Sequence, residues 1–140
     1  MAIVINCGEQ DIEDNGMCIS MSIRREDNDT PKVIYMNMID NLLGTAKFIR
    51  DCGCNFAEVG FDYEHEYCDY DAYLKFREFL DLPKNKRLKE IFQKYVSYKL
   101  DDIFMEDMTI WYSFIIESKG KDMTQKDILD FSRIFKELCE

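Results

Sequence analysis

Met17 to Arg24 reads M-C-I-S-M-S-I-R, and its alternation decides how the rest of the chain is parsed. Met17, Ile19, Met21 and Ile23 fall on one side of an extended chain; Cys18, Ser20, Ser22 and Arg24 fall on the other. A period of two is the mark of a strand with one buried face. Such a face needs a covering layer, so helices are expected elsewhere.

Upstream, Ala2 to Cys7 is a short strand with Ile3, Ile5 and Cys7 on one side. A polar, acidic run follows, and Asn15-Gly16 is a turn signal. Downstream, R-R-E-D-N-D-T-P from Arg24 to Pro31 reads as a charged turn, and Val33 to Tyr35 as a third strand. Short strands joined by polar connections predict an antiparallel meander.

The period changes near Asn37, whose side chain suits a helix N-cap. Ile39, Leu42, Leu43, Ala46 and Ile49 then recur at helical spacing, and Gly53 is placed to end the helix. Asn55 to Phe61 is a fourth strand with Ala57, Val59 and Phe61 on one side. Tyr63 to Cys68 reads as a loop. A helix capped by Asp69 or Asp71 follows, with Tyr73, Phe76 and Leu80 inward, and Leu82-Pro83 breaks it.

Lys84 to Leu100 carries the stripe Leu88, Ile91, Phe92, Tyr95 and Val96 and predicts a helix, which Asp101 to Met108 extends or ends in a turn. Thr109 to Ile116, T-I-W-Y-S-F-I-I, has the β-branched and aromatic content of a buried strand, with a buried helix as the alternative. Lys119-Gly120-Lys121 is a turn. Thr124 with Asp127 three residues on resembles a helix opening, followed by the stripe Ile128, Phe131, Ile134, Phe135 and Leu138. The expected class is α+β: a small, mostly antiparallel sheet in the N-terminal half packed with about four helices in the C-terminal half. At 140 residues the expectation is one domain, 1–140.

The net charge of −10 and pI near 4.6 oppose direct binding to nucleic acid or anionic membrane and favour basic partners. The first residues, M-A-I-V-I-N-C, lack the basic and long apolar regions of a secretory signal. No apolar run reaches the roughly twenty residues of a membrane span. A cytoplasmic protein is therefore expected, with its six cysteines reduced and mostly serving as small core hydrophobes.

Chemistry concentrates between Asp51 and Leu74. The stretch holds three of the six cysteines, the only histidine and seven carboxylates, and no Lys or Arg lies between Arg50 and Lys75. Cys52-x-Cys54 and His65-x-x-Cys68 offer thiolates and an imidazole suited to tetrahedral zinc. The competing reading makes Cys52 a helix end, Cys54 a strand start and His65 a loop residue. Nearby acids also raise thiol pKa values and oppose thiolate, which disfavours a Cys-His nucleophile. The calcium-loop and phosphate-binding glycine motifs are absent from the sequence, so no enzyme class is indicated. The basic run K-N-K-R-x-K from Lys84 reads as a solvated face.

The same stretch interleaves Tyr63, Tyr67 and Tyr70 with Glu58, Asp62, Glu64, Glu66, Asp69 and Asp71. Tyrosine supplies contact area at low entropic cost, and carboxylates steer toward a cationic partner. The functional expectation is a non-enzymatic, partner-binding inhibitor, with no cofactor. Its carboxylate and tyrosine surface would imitate nucleic-acid phosphates and dock onto a basic protein such as a nucleic-acid enzyme. Size and charge match the anti-defence or immunity type. The alternative is a zinc-binding protein using Cys52, Cys54, His65 and Cys68. Exposed sheet edges leave room for a homodimer.

Overall fold

The computed structural model describes residues 2–11, 16–24, 30–63, 72–106 and 109–139. For 2–11, 17–24, 31, 34, 61–63, 72–73, 100–106 and 109–112 it describes the backbone alone.

The alternating stretch forms strand β2 (Gly16–Arg24), antiparallel to β1 (Ala2–Asp11) with Ile3 opposite Ile23 and Cys7 opposite Ile19. The expected meander stops there. Thr30 and Pro31 open helix α1 (Pro31–Asp51). Proline suits the first helical position, where its fixed φ is already helical and its missing N–H is not needed. The Val33 N–H donates to Thr30 Oγ1 at 3.4 Å. Val33 to Tyr35 is therefore not a strand. The strand preference of β-branched residues is context-dependent, and a long apolar helical stripe behind them outweighs it. Asn37 is not the cap either. Its Nδ2 donates back to the Val33 carbonyl at 2.8 Å, and Asn41 and Thr45 repeat this contact one turn apart at 2.7 Å each. Gly53 does end the helix: its φ is +78° and its N–H donates to the Arg50 carbonyl at 2.9 Å.

Because α1 carries the chain back along the sheet, β3 (Phe56–Tyr63) pairs with β2 in parallel, with Met17 opposite Ala57. A tight turn can join only antiparallel neighbours, whereas a helical crossover permits parallel ones. Helix α2 (Ala72–Asp81) and a 3-10 turn at Pro83–Asn85 lead to α3 (Lys86–Tyr95). The helix expected through Leu100 stops at Tyr95. Val96 is buried, Ser97 exposed, Tyr98 half-buried and Lys99 exposed, which is strand alternation. They begin β4 (Val96–Glu106), so Asp101 to Glu106 neither extends a helix nor forms a turn. Thr109 to Ile116 lies in a strand, β5 (Thr109–Ser118), and α4 (Gln125–Cys139) closes the chain.

The sheet order is β1-β2-β3-β5-β4, and three of its four pairings are antiparallel. The class is α+β, as expected, but the halves are less segregated than predicted. β4 and β5 come from the C-terminal half and the longest helix from the N-terminal half.

One face of the sheet meets the helices. Ala57, Val59, Phe114 and Ile116 pack there against Met36, Ile39, Leu42 and Ile49 of α1, Phe76 of α2, Ile91 and Phe92 of α3 and Phe131 of α4. Each large apolar side chain so removed from water contributes about 1.5–3 kcal/mol. The Tyr98 ring lies 5.0 Å from Phe92 and 6.3 Å from both Phe76 and Phe114, tilted or edge-on to each. Glu58, Ser97, Lys99 and Glu117 alternate with the buried set and are exposed on the other face. No helix among the described residues is long and apolar enough to cross a membrane.

Candidate functional site

The acidic stretch enters the fold through β3. Glu58 follows the buried Ala57 and precedes the buried Val59, so alternation turns it to solvent. It stands opposite Ile115 of β5, and its Oε1 accepts from Ser113 Oγ at 3.4 Å. Asp62 and Tyr63 close the strand in register with Trp111 and Ile110. Their side chains, and the whole of Glu64, Glu66, Tyr67, Asp69, Tyr70 and Asp71, lie outside the described residues.

Of the four expected metal ligands, Cys52 is exposed, whereas Cys54 is 5% exposed and belongs to the hydrophobic core. Left-handed Gly53 turns the chain between them. His65 and Cys68 lie outside the described residues, and no group of three or more metal-ligating side chains occurs among those described.

Elsewhere the described acids are largely paired. Asp81 meets Lys89, Asp122 meets Arg50, and Glu137 meets Arg133. The densest network surrounds Asp127, in the first turn of α4 and 3% exposed. Its backbone N–H donates to Thr124 Oγ1 at 3.2 Å, the helix opening expected from the sequence. Its carboxylate accepts from Lys94 Nζ at 2.8 Å, Arg87 Nη2 at 2.6 Å and the Tyr95 hydroxyl. Arg87 also donates to Asp130 through Nε at 3.0 Å and Nη2 at 2.8 Å. Lys94, Tyr95 and Arg87 together hold the Asp127 carboxyl far below the usual carboxylate range. Asp130 and Asp127 raise the Arg87 pKa, and Asp127 raises that of Lys94. A carboxylate so fully engaged is a poor proton acceptor. Its consequence is mechanical: it ties α4 to α3.

Beside that tie lies a concavity that the sequence pattern does not reveal. A cleft of about 530 Å³ opens between α1, α4 and the 118–123 segment, with Leu43, Ala46, Met123, Ile128 and Phe131 giving it an apolar lining. A second hollow of about 510 Å³ adjoins it, sharing Asp40 and Phe131 and extending to Phe135 and Cys139. Ile128, expected on the inner stripe of α4, is 42% exposed because it lines this cleft. Asp40 retains part of its surface in water, yet the groups packed around its carboxyl desolvate it and raise its pKa. It makes no hydrogen bond or ion pair with any other described residue. A helical pattern marks Asp40 only as a polar position on the outer arc of α1; its place between two hollows depends on where α4 docks.

The chain matches no known family model, no curated protein and no solved structure.

Proposed function

We propose that this chain is a non-enzymatic inhibitor. In this reading it presses the carboxylate and tyrosine surface running from Glu58 to Asp71 onto a basic, nucleic-acid-binding protein. One contrast carries it. Elsewhere many acids, Asp51 included, have a lysine or arginine within reach, while the six carboxylates from Glu58 to Asp71 share a stretch of sequence with no lysine or arginine. Of these six, Glu58 is the one whose side chain is described; it is exposed and accepts only from the neutral Ser113 hydroxyl among the described residues. A carboxylate with no cation beside it keeps its field available for steering a cationic surface, and a neighbouring tyrosine adds contact area.

The test is binding to a panel of basic nucleases across a salt series. Affinity that falls as ionic strength rises, and that is lost on reversing Glu58, Asp62, Glu64 and Glu66 to lysine, supports the proposal. Salt-independent binding, or full binding by the reversed variant, overturns it.

A further inference from the structure

The α1/α4 cleft lies in the helical layer and has no part in the acidic-surface reading. At about 530 Å³ it falls within the range of small-molecule sites, whose walls are largely apolar with a few polar groups that fix orientation. Its polar feature common to both hollows is Asp40. The other lining carboxylate, Asp122, is already engaged by Arg50, leaving Asp40 as the one without a partner among the described residues.

Gly44, one turn along α1 from Asp40, points the same way. Glycine in a helix interior is unfavourable relative to alanine, so a packing reason is expected for it. Among the described residues none is found: beyond the adjoining backbone of its own helix, none of their atoms lies within 4 Å of where its Cβ would stand, and its φ is not left-handed. Instead Gly44 lines the cleft, where a side chain would occupy the opening.

We propose that this cleft binds a small amphipathic amine, its ammonium against Asp40 and its apolar body over Leu43, Met123, Ile128 and Phe131. The chain's net charge of −10 favours a cationic ligand over an anionic one. Lys47 and Lys121 also line the cleft and restrict the ligand to one cationic end. Lys47 sits seven residues from Asp40, about 10 Å along the helix, and 4.0 Å from Asp51.

The test uses the full chain and three probes with one apolar body: phenylbutylamine, phenylbutanol and phenylbutyrate. Binding is read from amide chemical shifts. The expected result is movement at Leu43, Met123, Ile128 and Phe131, with the amine binding best. Asp40→Asn should weaken the amine about tenfold, roughly one charge-assisted hydrogen bond, and leave the alcohol unchanged. Gly44→Leu should abolish all three. Both positions are exposed, so both variants are expected to fold. No movement at those residues, equal binding of the acid, or binding that survives Gly44→Leu overturns the proposal. A fourth probe, acetyl-Leu-Lys-amide, carries the same groups on a peptide. If it binds more tightly than phenylbutylamine, the site belongs to a protein partner's lysine and the small-ligand assignment fails.

Discussion

Tyr95, the last residue of α3, donates its hydroxyl to the carboxylate of Asp127 in the first turn of α4. The same hydroxyl accepts from the Thr124 N–H at 3.1 Å, so one oxygen serves both the start of α4 and its only buried acid. Tyr95→Phe removes both contacts without changing the ring. The Thr124 N–H then loses its acceptor and Asp127 one of its donors. The expected loss is about 1–2 kcal/mol in urea unfolding, with the ring's packing preserved.

Asp127 also sets an acid-side limit on stability. Its folded pKa is depressed by Lys94, Tyr95 and Arg87 below the ordinary value of 3.8. A depressed carboxylate stabilises the fold above the unfolded pKa, and that contribution is lost as pH falls through the folded value. Wild type should therefore lose stability progressively below about pH 4, whereas Asp127→Asn, weaker at neutral pH, should show a flatter acid limb. Parallel limbs would remove Asp127 as the cause.

Asp40 has the opposite sign. Burial raises its folded pKa, so its protonated form favours the fold, and that advantage is lost as pH rises through the folded value. Asp40→Asn is therefore expected to be more stable than wild type near neutral pH and equal to it below the ordinary aspartate pKa of 3.8. Thermal unfolding at both pH values checks this. A gain in stability together with a loss of amine binding would be the usual exchange between a functional group and the fold.

Gly44→Ala should raise stability by about 0.5–1 kcal/mol, since among the described residues the added methyl meets no atom within 4 Å beyond its own helix backbone. Gly16 contrasts with it. A Cβ there would stand 2.4 Å from Cζ of Phe56, its register partner on β3. Gly16→Ala should cost about 1–3 kcal/mol by overpacking, and a Phe56→Ala background should recover much of that cost. A double-mutant cycle without coupling would mean the ring moves aside freely.

Much of the architecture could be read from local pattern. Met17 to Arg24 is a strand because its alternation can be buried on only one face, and Gly53 ends α1 because little else adopts a φ of +78° comfortably. Thr124 opens α4 through its side-chain oxygen, a contact only three residues long. Local pattern and structure part where two local signals compete. Val33 to Tyr35 looked extended, but Thr30-Pro31 before it and an apolar stripe behind it made it helical. Val96 continues the helical spacing of Leu88, Ile91, Phe92 and Tyr95, yet V-S-Y-K from Val96 already alternates.

Composition and spacing were enough to determine the class, most strands and helices, and an anionic stretch without cations between Arg50 and Lys75, because these depend on residues near one another in sequence. The parallel pairing of β2 with β3, the insertion of β5 between β3 and β4, the gathering of Arg87, Lys94 and Tyr95 on Asp127, and the cleft beside Asp40 were decided only by tertiary structure. Each joins residues tens of positions apart. Their meeting depends on how α1 crosses the sheet and where α4 docks, which is settled by burying all the apolar faces together rather than by any one segment's preference.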